Sequence, residues 1–284
     1  MLYTFTLRHN MWHLNKIPKI LHVYWGGVKL SYLRYLTVAS FVRHNPTWEV
    51  IFHTPLYPTL SHSWTTPEQK YGMGYDDCLG MIQQLGVTIR VIDFKPLGFA
   101  NTATEVHKSD FIRWHLLNNV GGLWSDMDII FTRPMDELCF NKEEFSNINA
   151  VVCIGGYGHS IGFLMGGAGS TCFNAIHKAS LMCYDKEQYQ CIGSLLCNKI
   201  FPTIDSIRTN GTIPHNLPMD VVYPYDFNSF RELYTPTATD RFTDNTIGVH
   251  WYGGSNIAGA YLNNTNGGLN TAGNSIIDKM IKDE

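Results

Sequence analysis

Gly121-Gly122-Leu123-Trp124-Ser125-Asp126-Met127-Asp128-Ile129-Ile130 is the stretch on which the reading of this chain turns. In an extended backbone alternate side chains share a face. Asp126 and Asp128 then project together, while Leu123, Met127 and Ile129 project the other way, toward a core. Two ionised carboxylates beside an apolar strand repel each other and lose hydration. A divalent cation removes that conflict. Hard ions such as Mn²⁺ or Mg²⁺ take carboxylate oxygen and complete their shells with diphosphate oxygens and water. A bare Asp-x-Asp most often opens a solvated turn. Here a glycine pair and an apolar strand lead in, and Ile129-Ile130-Phe131 continues the apolar run, so the pair is embedded. The carboxyl end of a strand in an open α/β sheet is also where ligands sit.

Working outward, residues 104–119 read as a helix with Thr102 or Thr104 as N-cap and Gly121 beyond its end. Within it, Asp110 and Arg113 are three apart and share a face. Val106, Phe111, Ile112, Trp114 and Leu117 make most of this helix apolar, so the charged pair points into a cleft. Upstream, residues 17–25, 48–53 and 87–94 read as strands. Residues 30–44, stopped by Asn45-Pro46, and 75–85 read as helices, with a loop at 54–74. Downstream, 151–154, 161–165, 221–222 and 247–250 read as strands, and 170–183 and 186–200 as helices. From Thr203 on, Gly, Asn, Thr and Pro dominate. The alternation predicts an α/β fold around a doubly wound, parallel-type sheet. No linker divides the chain, so 1–284 reads as one domain.

Composition narrows the function. Charged residues are 16% and the net charge is −3, which excludes a phosphate-backbone binder as the main role. Aromatics reach 13%. No apolar run spans a membrane, and residues 1–19 lack the apolar core of a signal peptide. A soluble, cytoplasmic protein is expected. Seven cysteines with no CxxC pair read as free thiols. The Asn-x-Thr sequons at Asn210 and Asn263 read as chance matches. His22 reads as a hydrogen-bonded core residue, and the glycine runs at 155–158 and 166–169 as loops rather than a dinucleotide fingerprint. The segment with Tyr57, Trp64, Tyr71 and Tyr75 reads as a flap or acceptor platform, with an ordinary loop equally open.

Together these pieces resemble the DXD-containing glycosyltransferases of family 32, a group that includes fungal outer-chain mannosyltransferases and α-1,4-galactosyltransferases, with clostridial glucosylating toxin domains as more distant relatives. The family block runs as Ile17-Pro18-Lys19-Ile20-Leu21-His22-Val23-Tyr24-Trp25-Gly26-Gly27, then Lys108-Ser109-Asp110-Phe111-Ile112-Arg113, then Gly121-Gly122 and Asp126-Met127-Asp128. Echoes follow at 217–224 and in Val249-His250-Trp251-Tyr252-Gly253-Gly254-Ser255. Ser125 stands where relatives carry an apolar residue, and Asn256 where many carry Trp.

The resemblance implies a GT-A type fold: a Rossmann-like mixed sheet flanked by helices, with a nucleotide-sugar half at 17–135 and an irregular acceptor-side half at 136–284. It implies a nucleotide-diphosphate sugar donor, UDP-linked by preference with GDP-linked as the alternative, a divalent cation (Mn²⁺ or Mg²⁺) and a glycan acceptor. By position, Val23, Trp25, Ser109, Asp110, Arg113, Asp126 and Ser255 would bind the donor, with Trp25 stacking on the base. Asp126, Asp128 and His250 would hold the metal. Asp110, Arg113 and Asp128 would carry the chemistry, with retention of anomeric configuration. Asp220 and Glu232 are the candidate bases. Asp128→Ala is expected to abolish metal-dependent donor hydrolysis with little change in unfolding. The rivals are a metal-dependent phosphohydrolase using Asp126 as nucleophile and a non-catalytic carbohydrate-binding protein on a transferase fold.

Overall fold

The computed structural model describes residues 16–59, 74–138 and 143–284. The chain enters on β1 (Ile20–Tyr24) and crosses over through α1 (Tyr32–His44) to β2 (Glu49–Pro55). The Ser31 hydroxyl caps α1 by accepting the Arg34 amide, and Asn45, ahead of Pro46, ends it. A short helix α2 (Leu79–Ile82) precedes β3 (Thr88–Ile92). Then α3 (Glu105–Asn119), capped by Thr104, delivers the chain to β4 (Gly122–Ser125). Gly121, between α3 and β4, and Gly122, the first residue of β4, have positive φ, 76° and 110°. A Cβ on Gly122 would meet the Ile20 carbonyl oxygen at 2.6 Å, so this turn needs glycine for conformation and for space.

After β4 come β5 (Ile129–Phe131), β6 (Ala150–Val152), the small hairpin β7 (Ile154–Gly155) and β8 (Gly158–His159), and β9 (Phe163–Gly166). Helices α4 (Thr171–Met182), α5 (Ser194–Ile200) and α6 (Ile204–Thr209) lead to β10 (Pro214–Asn216) and β11 (Gly248–His250). Helices α7 (Asn256–Asn264) and α8 (Ile276–Asp283) close the chain. The main sheet runs β10-β6-β9-β4-β1-β2-β3. The expected mixed α/β sheet flanked by helices is what the chain forms. The parallel-type reading of the strand–helix alternation holds for most of the sheet, while β9 lies antiparallel to both β4 and β6. The β7–β8 hairpin turns the chain back before β9, so β9 enters the sheet against its neighbours.

Several local expectations also change. Residues 126–128 form a turn joining β4 to β5, not one continuous strand. β5 leaves the main sheet and pairs antiparallel with β11, with His250 opposite Ile129. Of 75–85 only α2 and one 3₁₀ turn are helical, and of 186–200 only α5. Residues 219–221 make a 3₁₀ turn where a strand at 221–222 was expected. The region after Thr203 is more regular than its composition: α6, α7 and α8 each begin at a Thr or Ser whose hydroxyl accepts an amide three residues on.

Much of the aromatic surplus is core. Trp114, Trp124 and Trp251 are fully buried, as are Phe41, Phe52, Phe94, Phe111, Phe131 and Phe163. Buried His22 joins strands rather than reacting: its Nδ1 meets His53 Nε2 at 3.0 Å, and its Nε2 meets the Gly121 carbonyl oxygen at 3.0 Å. Cysteines 78, 153, 172, 183, 191 and 197 are free, and Cys139 lies outside the described residues. No helix among the described residues is long and apolar enough to cross a membrane.

Candidate active site

A cleft opens at the carboxyl ends of β1 and β4, lined in part by Trp25, Arg34, Ser109, Asp110, Arg113, Asp126 and Asp128. One wall is α3. Its apolar residues pack on the sheet, and that packing aims Ser109, Asp110 and Arg113 at the cleft. The Arg113 guanidinium is 3% exposed and serves three partners. Its Nη2 lies 2.9 Å from Asp126 Oδ1 and 3.3 Å from Asp110 Oδ1, and its Nη1 donates to the Ile161 carbonyl at 2.8 Å. The Trp124 indole donates to the same Asp126 Oδ1 at 2.9 Å. Asp110 and Arg113 are thus no surface i,i+3 pair; they brace the first carboxylate of the turn. Burial pushes the Asp110 carboxyl up to about 7; Arg113 pulls it back and Asp126 adds to the rise.

Asp128 faces the other way along the chain for its support. Its Oδ1 lies 3.1 Å from His250 Nε2, and its Oδ2 accepts the Gly253 amide at 2.8 Å. Its backbone carbonyl accepts the Trp251 amide. Burial alone would raise its pKa, but His250, Arg34 and the Gly253 amide outweigh it and hold the carboxyl below the ordinary carboxylate range. Burial alone would likewise lower His250, but the Asp128 charge and hydrogen bond raise it.

The structure gathers Trp25, Ser109, Asp110, Arg113, Asp126 and Asp128 on one cleft and sets His250 directly behind Asp128. It does not bring Val23 and Ser255 there as side chains. Val23 is fully buried in the core, and the Ser255 hydroxyl caps α7. Trp25 is only 5% exposed, with its indole nitrogen donating to the Lys29 carbonyl and the Arg34 guanidinium 4.5 Å over its ring. Neither candidate base lines the cleft: Asp220 accepts from Thr243, and Glu232 pairs with Arg241 at the surface. Trp64 and Tyr71 lie outside the described residues; Tyr57 is exposed and Tyr75 buried.

Several lining residues escaped the sequence reading. Arg34 sits between the rings of Trp25 and Trp251 and donates to the Met127 carbonyl. A cation amid the apolar positions of α1 was its signal. Glu105 accepts from Tyr24 Oη and Lys108 Nζ, the latter fully buried. Tyr189 and Gln190 enter from an irregular segment whose sequence carries no signal, although Gln190 has φ 57°, a strained value for a non-glycine residue.

Buried polar atoms without partners are uncommon and ask for an explanation. Asp110 Oδ2, Arg113 Nε, Tyr223 Oη, His250 Nδ1 and Trp251 Nε1 are such atoms, and all belong to the cleft or to the residues bracing it. Asp126 is about a third exposed, and its Oδ2 takes no donor among the described residues. No group of three or more His, Cys, Asp or Glu side chains converges among the described residues. Two carboxylates with an open oxygen on Asp126 fit a hard cation that draws its remaining ligands from phosphate and water.

Residues 89–145, from β3 past β5, match the family model described as the glycosyltransferase sugar-binding region containing the DXD motif. Among solved structures the chain is similar to the PaToxG glycosyltransferase, at 14% identity and TM-score 0.46 over 69% of this chain and 74% of that one. It is similar to the glycosyltransferase GlyE of Streptococcus pneumoniae TIGR4, at 13% identity and TM-score 0.48, covering 83% of this chain and 54% of that one. It also aligns with the UDP-bound glycosyltransferase domain of the YGT toxin, at 11% identity and TM-score 0.37 over 69% and 66% of the two chains. No curated protein sequence matches it.

Proposed function

We propose that the cleft binds a nucleoside-diphosphate sugar and transfers its glycosyl group to a hydroxyl of a glycan acceptor. The convergence of Asp110, Arg113, Asp126 and Asp128 around one cleft is the observation that carries this reading. The match of 89–145 to a DXD sugar-binding region, which contains all four residues, supports it. The order of motifs favours family 32, a UDP-sugar with GDP-sugar as the alternative, and retention.

Asp126 and Asp128 would hold a divalent cation, Mn²⁺ or Mg²⁺. When bound, such an ion supplies Lewis-acid neutralisation of charge growing on the leaving diphosphate. Asp110 and Arg113 hydrogen-bond the hydroxyls of the donor sugar and fix its anomeric carbon. Arg113 also keeps Asp126 oriented through the 2.9 Å contact. His250 and Arg34 hold Asp128 ionised from behind. In the transfer the bond from the anomeric carbon to the diphosphate oxygen breaks, and the bond to the acceptor oxygen forms on the same face. The acceptor proton passes to the departing phosphate oxygen.

Hydrolysis of a panel of UDP- and GDP-sugars, with Mn²⁺ and with excess chelator, tests the reading. Release of nucleoside diphosphate from at least one donor, abolished by chelator, is the expected result. No turnover of any donor, or turnover indifferent to chelator, overturns it.

A further inference from the structure

A buried hydroxyl without a partner costs stability. Tyr223 carries one. It follows the 3₁₀ turn at 219–221 and is 6% exposed, and its Oη has no hydrogen-bond partner among the described residues. A phenol is protonated at neutral pH, so this one has a proton to place.

The backbone fixes where the side chain stands. The Val221 carbonyl accepts the Ile247 amide and the Val222 carbonyl accepts the His250 amide, both at 2.9 Å, which laces Tyr223 to the β11 segment. Its ring lies 5.3 Å from the His250 ring between centroids. Its hydroxyl end meets Gly162. A Cβ on Gly162 would lie 2.9 Å from Tyr223 Oη and 2.9 Å from Asp126 Oδ2. The two oxygens are therefore no further apart than twice that distance. The Gly162 carbonyl also accepts the Asp126 amide at 2.7 Å, which holds Asp126 against the same glycine. Arg113 and Trp124 hold Asp126 Oδ1, and Oδ2 takes no donor among the described residues. A protonated hydroxyl and an open carboxylate oxygen thus flank one glycine without bonding each other. Their separation suits one bridging water, which bonds each neighbour at about 2.8 Å.

We infer that Tyr223 is a positioning residue for the acidic pair: its hydroxyl fixes Asp126 Oδ2 through one water, and its ring seats His250 behind Asp128. The inference rests on the reading that Asp126 and Asp128 hold a divalent cation. Carboxylates that bind a cation are themselves hydrogen-bonded, and those outer contacts orient the ligating oxygens. Arg113 and Trp124 do this for one oxygen of Asp126, and Tyr223 does it for the other. The same side chain thereby reaches the supports of both carboxylates.

The test is calorimetric titration of UDP and of GDP into the full chain, each in Mn²⁺ and in excess chelator. For wild type, Mn²⁺ should raise the affinity for at least one of the two. Tyr223→Phe keeps the ring on His250 and removes only the hydroxyl. It should weaken binding in Mn²⁺ about tenfold and leave the affinity in chelator unchanged, a split that a role in folding alone would not produce. Thermal unfolding in chelator, expected within about 4 °C of wild type, checks that the variant folds. Equal affinity of variant and wild type in Mn²⁺ overturns the positioning role and leaves the cation reading standing. No gain from Mn²⁺ for either nucleotide in wild type overturns the cation reading, and this inference with it.

Discussion

Asp126 and Asp128 stand two residues apart and are supported in opposite ways. Asp126 is held by Arg113 and Trp124, both within thirteen residues of it, and it keeps 30% of its side chain in water. Asp128 is 12% exposed and is held by His250 and Gly253, the latter 125 residues downstream. The first carboxylate is a product of one helix–strand unit. The second exists in its working position only once β11 has paired with β5. An acidic pair that looks symmetric in sequence thus divides its support between a local wall and a distant one.

The strongest way to break this comparison is to truncate each carboxylate. Asp128→Ala leaves a buried His250 without its counter-charge, and breaking such a pair costs about 3–5 kcal/mol. Asp126→Ala leaves Arg113 still paired with Asp110, so its loss should be well under half as large. Urea midpoints of the two variants measure this, and an equal loss would dissolve the distinction. The structure here corrects the expectation that Asp128→Ala would leave unfolding nearly unchanged, because its carboxylate is buried and paired.

Asp110→Asn sharpens the local side. The buried Asp110 carboxyl titrates near 7 in the folded chain, above its unfolded value, so the folded state binds more protons between about 4 and 7. Its ionisation therefore opposes stability as pH rises through that window. The amide should raise Tm at pH 8 by about 2–4 °C per kcal/mol recovered, with no gain at pH 4, while donor hydrolysis falls. A lower Tm at pH 8 would count against the assignment. A separate effect, confined to acid pH, concerns His22 and His53, which burial lowers to about 4 and about 3. Both stay neutral when folded but charge when unfolded below about 6.5, so stability drops as pH falls from there toward 4. Replacing His53 with Gln should flatten that acid limb in a pH series of urea midpoints.

Much of the local wall was legible in the sequence. Thr104, the apolar face of α3, the glycine pair and Asp126 each obey a rule that acts within a few residues, and they fall where the sequence puts them. The antiparallel entry of β9 was not legible, because its strand residues are apolar for either direction. Arg34 hid for a related reason: a lone cation on a helix announces itself only when two indoles from distant segments close on it. Trp25 could be found, but not that Arg34 covers one of its faces. The helices after Thr203 were obscured by a composition rich in Gly and Asn, although the capping box Ser275–Asp278 was in plain view.

The β5–β11 pairing has a bearing on how the molecule is made. A ribosome that has emitted residues 1–240 has delivered every residue of the α3 wall and both acidic side chains, yet no partner for Ile129–Phe131. Until Gly248–His250 emerges, β5 carries an apolar, unpaired edge, a hazard for aggregation during synthesis. The buried setting of Asp128 is thus completed late, when residues 248–253 fold back beside β5 and bring His250 and the Gly253 amide to its carboxylate.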